Sequence, residues 1–375
     1  MSVEIVPAAG RREMKAFLHL PFSIYPDDPN WVPPLLASER KLLDRRRHPF
    51  HRHAEVEYFL ARRDGRWVGR IAAIVNREHL KAQNDGAGFW GFFESERDPE
   101  IGSALFGRAE AFLRSRGLAR SRGPMNFSVN ETCGLLVDGF DSPPYIMMPH
   151  NPPWYAELVE KAGYAKAVDL LAFRLTRDEA LQKSPPPEKL ETPAFLKGVK
   201  FRCIDRKRLR EEIKLVNVLF NDAWSGNWGF VPMTEPELEF MADDLKMILD
   251  PRLTYVAEVE GRPIAFAIAL PNINPLIKKI RGRLFPFGWL RLLLGAKKVD
   301  SFRVCLLGVR KDHQKSGIGI LFCFKLFKDG LKAGARAAEM SWILETNRGM
   351  IAPLERMGAT PYKRYRIYEK PLVGS

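Results

Sequence analysis

The chain carries its own sequence twice. Residues 58–76 read YFLARRDGRWVGRIAAIVN and residues 254–272 read TYVAEVEGRPIAFAIALPN, and the two align without a gap at an offset of 196. In each copy a short strand, a turn at Asp64-Gly65 or Glu260-Gly261, and an apolar strand follow one another, the pattern of a hairpin. The start repeats at the same offset, Val3-Glu4-Ile5-Val6 against Val199-Lys200-Phe201-Arg202. Near the end of each half, Asn151 precedes VEKAGY (159–164) as Asn347 precedes LERMGA (354–359). Four matched segments in one order mark a duplicated unit. Two similar domains are expected, 1–183 and 199–375, joined by a linker over 184–198 whose three consecutive prolines favour an extended connector.

The second copy reads as strand 199–204, helices 206–223 and 236–248, hairpin 254–271, strand 303–309, helix 317–333, strand 338–344, helix 348–357 and strand 363–370. That order predicts an α+β (mixed α/β) fold in which each copy builds a central mixed sheet flanked by helices on both faces. No apolar run reaches the roughly 18 residues of a membrane span. The first residues, Met1-Ser2-Val3-Glu4-Ile5, lack the basic and apolar regions of a signal peptide. Cys133, Cys203, Cys305 and Cys323 lie far apart without C-x-x-C spacing, which argues against a disulfide framework or a zinc knuckle. A reducing cytoplasm is the expected location, and no metal is expected.

The most specific segment is residues 302–334, FRVCLLGVRKDHQKSGIGILFCFKLFKDGLKAG. A branched apolar strand runs to Val309, then Gln314-Lys315-Ser316-Gly317-Ile318-Gly319 opens a long apolar helix. Glycines at a helix start let a ligand approach the backbone, and the free N–H groups there bind phosphate. Arg310, Lys311 and Lys315 add positive charge. The segment is neither a Walker loop nor a Rossmann turn.

Gln314, Gly317 and Gly319 fill the three defining positions of [QR]-x-x-G-x-[GA], and the segment resembles the acyl-CoA pyrophosphate loop of the GCN5-related N-acetyltransferase (GNAT) superfamily. WILETN (342–347) and LERMGA (354–359) resemble that superfamily's next strand and helix, and the repeat extends the likeness to the first half. The resemblance implies acyl transfer from acyl-CoA, acetyl or longer, to an amine. It implies that backbone groups of Leu307, Gly308 and Val309 hold the pantetheine and that Asn347 contacts the same arm. Gly308 is a candidate for the bulge that splays the central strands, or a packing glycine. In the first copy Glu100 stands against Gly317, Gly102 against Gly319 and Arg97 against Gln314. A carboxylate there repels pyrophosphate, so one CoA per chain is expected.

Amine acylation needs a base, and the departing thiolate an acid. The tyrosine that many members place four residues before the last helix's glycine is replaced by Leu354. Glu345, at a strand end, and His313, at the mouth of the loop, are the nearest candidates, with Tyr362 and Tyr365 further on. The first half offers others within 123–155, a stretch about 21 residues longer than its counterpart. There Glu131 and His150 stand among Gly, Pro and Met. Such a long irregular segment is a candidate either for function or for sealing the junction between halves. Its GPMNFS…GLLVDGFDSPP…NPPWY text resembles a signature of bacterial double-GNAT proteins.

The charge has an address. Lys and Arg number 59 against 45 Asp and Glu, a net +14. Seven of those cations fall in an insert over 272–299, NINPLIKKIRGRLFPFGWLRLLLGAKKV, which has no acidic residue. Pro286 and Gly288 split it into two short amphipathic pieces. Basic residues mixed with Leu, Ile, Phe and Trp suit the headgroup layer of an anionic membrane, and apolar residues outnumber stacking aromatics, so nucleic acid is disfavoured. A hairpin packed on the body with a solvated basic face is the alternative. A CoA loop beside such an insert points to an N-acyltransferase of a long-chain or lipid-like amine, and the paired arrangement resembles the bacterial ceramide synthase group, which acylates a sphingoid base. A soluble GNAT acting on a small polar amine or peptide, and a non-catalytic acyl-CoA-sensing regulator, are the competing expectations.

Overall fold

The computed structural model describes residues 2–183, 198–245, 248–296 and 298–372, without the side chains of Arg206, Asp244, Leu245 and Lys315. Lys297 and, apart from Gly198, the predicted linker 184–198 lie outside the described residues. The first half forms β1 (Glu4–Pro7), β2 (Ala54–Arg63), β3 (Arg66–Asn76), β4 (Ala87–Ser95), β5 (Arg120–Gly123), β6 (Met125–Asn126), β7 (Thr132–Cys133), β8 (Leu135–Asp138) and β9 (Ala165–Thr176). The second forms β10 (Val199–Cys203), β11 (Thr254–Val259), β12 (Arg262–Pro271), β13 (Ser301–Val309), β14 (Ala337–Leu344) and β15 (Thr360–Pro371). Its helices, among them Leu209–Trp224, Glu235–Leu245, Ile318–Lys332 and Arg348–Arg356, fall where the periodicity places them.

Among the described residues thirteen strands make one continuous sheet in the order β1-β2-β3-β4-β5-β15-β9-β14-β13-β12-β11-β10, with β8 also pairing β15. The duplication is visible as two five-strand runs, each antiparallel apart from one parallel pair, β4 with β5 and β13 with β14. Between them the last strands of the two copies are exchanged. β9 pairs with β14 of the second copy, and β15 pairs with β5 of the first. The two repeats therefore do not close two separate sheets.

Helices cover both faces, as the α+β reading requires. In the second half Ile318–Lys332 and Arg348–Arg356 bury Phe322, Leu326 and Leu354 against Phe302 and Val304. Leu209–Trp224 buries Val216, Leu219 and Phe220 against Phe266 and Ile268 on the opposite face. Each such side chain contributes about 1.5–3 kcal/mol of burial. In the first half Trp90, Leu105 and Phe106 pack on one face, and Phe17, Phe50 and Phe127 on the other, where β15 adds Tyr365 and Ile367. The 123–155 stretch seals the junction: Asn274 Nδ2 donates to Pro144 O at 2.8 Å and Ile146 N–H to Asn272 Oδ1 at 3.2 Å.

Candidate active site

β13 and β14 pair only over Ser301–Val304 and Ala337–Met340. Beyond that point β13 stays with β12 and β14 with β9, so the two strands open as a V. The register of β12 against β13 slips between Ile268 and Ala269, which leaves Cys305 as the extra residue of a bulge at the apex. Gly308 is therefore not the bulge. It is a packing glycine, since a Cβ there would lie 2.5 Å from Phe266 Cε1.

In an antiparallel ladder successive residues turn their polar groups to alternate edges. Arg310 N–H donates to Ile264 O at 2.9 Å, so Leu307 and Val309 direct theirs into the open V. Two side chains reach these carbonyls. Trp224 Nε1 donates to Leu307 O at 3.3 Å, and Gln314 Nε2 to Val309 O at 3.4 Å and Ala223 O at 3.1 Å.

The strand ends in a turn over Lys311–Ser316, and Gly317 takes φ +82°, the left-handed region that favours glycine, before the helix Ile318–Lys332 begins. Ser316 Oγ donates to His313 O at 2.6 Å and faces Ile318 N–H at 3.4 Å. The first N–H groups of that helix have no acceptor within it. At Gly319 a Cβ would meet nothing nearer than 3.7 Å, so the helix start is open. Leu307, Gly308, Val309 and Gln314 through Gly319 are thus gathered at one arm of the V. Asn347 stands at the end of the other arm, where its side chain accepts from Met350 N–H at 3.2 Å and caps the helix Arg348–Arg356.

Of the four acid–base candidates, His313 lies in the turn of the loop itself, and the other three have partners elsewhere. Glu345 accepts from Lys166 Nζ at 2.7 Å and from Asp169 N–H at 3.0 Å, on the side of β9. Burial opposes its ionisation, but those two donors outweigh it and hold the carboxyl below the usual carboxylate range. His313, half-buried in the loop, pairs with Asp312 at 2.8 Å. Glu131 accepts from Phe127 and Ser128 N–H groups at 2.8 and 3.2 Å and faces His48 at 3.3 Å. His150 is buried against Asp28 at 2.8 Å, and burial lowers its pKa despite that partner. Leu354 is wholly buried in the core.

What occupies the base of the V is a buried polar cluster. Arg303 Nε donates to Ser341 Oγ at 2.8 Å, Ser341 Oγ donates to Glu339 Oε1 at 2.6 Å, and the Tyr362 hydroxyl donates to Glu339 Oε2. Arg303 also reaches Ile146 O at 3.1 Å, tying the first half to the site. Burial raises the Glu339 carboxyl above its usual range, against the pull of Arg303. Beside them the Trp342 Nε1 and Tyr365 hydroxyl are buried without a partner among the described residues. Burial lowers the neighbouring Lys363 to about 8. A signal existed in the sequence, because Arg303 and Glu339 each interrupt an otherwise apolar strand, and an unpaired charge is not buried.

The equivalent V in the first half is filled. β4 and β5 pair only over Ala87–Phe89 and Arg120–Arg122, then part. Into that gap goes the chain at Met125–Asn126: Asn126 Oδ1 accepts from Phe92 N–H at 2.7 Å, and a Cβ at Gly91 would lie 1.8 Å from Met125 O. The matching helix start is occupied too, since Asp98 caps it at Glu100 N–H, 2.8 Å away, and Arg63 binds Asp98 and Glu100 at 2.6 Å each.

No family model matches the chain. It is 44% identical over 368 residues to Protein YghO of Escherichia coli, covering 96% of this chain and 94% of that protein. It is 39% identical over 379 residues to the bacterial ceramide synthase of Caulobacter vibrioides, covering 99% and 98%. Among solved structures, a tandem GNAT protein from the clavulanic acid biosynthesis pathway matches the whole of both chains with a TM-score of 0.60 at 14% identity. The chain therefore belongs to the family of Protein YghO and the bacterial ceramide synthase, it has the fold of the tandem GCN5-related N-acetyltransferases, and it is an acyltransferase.

Proposed function

We propose that the chain transfers a long acyl group from acyl-CoA to the amine of a lipid-like acceptor, such as a sphingoid base, at an anionic membrane surface. The observation that carries the lipid part is the insert. Phe285, Phe287, Trp289, Leu290, Leu293 and Leu294 are all exposed, Phe285 at 87%. They share the helix Gly288–Ala296 and the turn before it with exposed Arg283 and Arg291. An apolar face rimmed by cations suits the boundary between headgroups and acyl chains. No described helix is long and apolar enough to cross a membrane, so the fit is to its surface. The relative named bacterial ceramide synthase supports the same acceptor class.

In this reading the pantetheine takes the open edge at Leu307 and Val309, the pyrophosphate takes the helix start at Gly317–Gly319, and Asn347 closes from the other arm. The thioester then lies near the apex. The amine nitrogen attacks its carbonyl carbon, the C–S bond breaks, and one proton moves from nitrogen to sulfur. Ser341 and Glu339 carry that proton, because burial keeps Glu339 a stronger base than an ordinary carboxylate. A covalent detour is disfavoured: Cys305, the thiol at the apex, is partly buried, and that burial raises its pKa.

The test is thiol release from acyl-CoAs of graded chain length with a panel of amines that includes a sphingoid base. Long-chain donors with the sphingoid base are expected to react fastest, with the protein floating with anionic vesicles. Reaction with acetyl-CoA alone would overturn the lipid reading, and no reaction with any donor would favour the regulator.

A further inference from the structure

A cavity of about 610 Å³ lies between the two halves, beneath the base of the V. Its walls come from the first half's Ser142–Tyr145, the ends of β9 and β14, Tyr362, and the start of the insert. Pro143, Pro144 and Tyr145 give it apolar lining. Arg174, Lys278 and Lys279 also line it, and no carboxylate does so among the described residues. The Arg174 guanidinium stacks over the Tyr362 ring at 5.3 Å, and its Nε is buried without a hydrogen-bond partner. Lys278 is tethered to Pro29 O, and Lys279 is exposed.

We infer that this cavity binds the phosphate-bearing headgroup of an anionic bilayer lipid. Three cations lining one cavity without a carboxylate favour an anion, and a guanidinium fork with unused donors suits phosphate. The proline and tyrosine wall receives the apolar body attached to that phosphate. The placement agrees: Lys278 and Lys279 lie on the helix Asn274–Lys279, against which the exposed apolar helix packs through Gly295, where a Cβ would lie 2.7 Å from Leu276. Such a site makes attachment selective for headgroup, which a basic apolar helix alone does not.

The experiment titrates the full chain, without acyl-CoA or amine, with dioctanoyl phosphatidic acid below its micellar concentration, with inorganic phosphate, and with phosphatidylglycerol or phosphatidylcholine vesicles. The short-chain lipid is expected to bind at least about tenfold more tightly than inorganic phosphate, and Arg174→Ala or Lys279→Glu to weaken it about tenfold. Phosphatidylglycerol vesicles are expected to bind the parent chain and to lose most binding to either variant, although the apolar helix is intact. CoA binding by the same variants serves as the fold control and is expected to be unchanged. Equal affinity for inorganic phosphate, or variants that bind like the parent, would overturn the site. Vesicle binding that ignores both substitutions while the short-chain lipid loses affinity would overturn the bilayer as its source. Because acyl transfer is not measured, failure here is separable from failure of the transferase reading.

Discussion

Ser341 donates its hydroxyl to the Glu339 carboxylate at 2.6 Å, one residue beyond the last parallel pair of β13 and β14. The bond therefore sits where the two strands part, with Glu339 fully buried behind it and Tyr362 on its other oxygen. In the proposed reaction this is where the thioester meets a proton acceptor.

Glu339→Gln keeps the shape and removes the base. A fall in kcat of about 100-fold or more is expected, with acyl-CoA affinity and the near-UV circular dichroism retained. The parent enzyme should lose activity on the acid side at a pH above the ordinary carboxylate value of about 4.3, because burial raises Glu339 and only its ionised form accepts a proton. That limb should vanish in the variant. An unchanged pH profile would remove Glu339 from the chemistry.

Gly317 takes φ +82° at the turn into the helix. Gly317→Ala puts a Cβ into the left-handed region at a cost of about 1–2 kcal/mol, which should appear as a KM for acyl-CoA raised about tenfold. Gly317→Glu adds charge repulsion and should abolish CoA binding by calorimetry while the fold persists.

One acyl-CoA per chain is expected in a calorimetric titration. The first copy's cleft holds Met125 and Asn126, and its helix start holds Asp98, Glu100 and Arg63. A stoichiometry of two would contradict this.

Asp169 joins the exchanged strands. Its buried carboxylate on β9 takes Arg366 at 2.8 Å and Arg364 at 3.1 Å from β15, and Lys166 at 3.1 Å. Burial raises its pKa, but the three cations outweigh this and bring it to about 2. A carboxyl depressed in the folded state stabilises above its unfolded pKa of about 3.9, so this contribution should be complete above about pH 5 and fade as pH falls toward 2. Asp169→Asn should lower stability to urea by about 3 kcal/mol at neutral pH, the cost of breaking a buried pair, and should flatten the acid decline.

Features written in neighbouring residues were legible. The hairpins at Asp64-Gly65 and Glu260-Gly261 and the glycines at 317 and 319 depend on turn chemistry within a few residues. So does the split of the insert at Pro286 and Gly288, and all lie where the pattern places them. The fate of the first copy was only half legible. Glu100 declared an unsuitable helix start, but nothing local said that Met125 and Asn126 fill the cleft from 34 residues beyond Phe92.

The sequence by itself determined the duplication, the order of elements, the loop and the cationic insert, because periodicity, glycine and charge act locally. Only the tertiary structure decided the exchange of β9 and β15 and the choice of buried carboxylate. Glu339 and Glu345 lie on or at the end of one strand an even number of residues apart, so simple alternation puts both on the same face. β14 slips register against β9 between Met340 and Ile343. One extra residue reverses the alternation beyond that point. Glu345 turns to Lys166 and Asp169, while Glu339 keeps the base of the V.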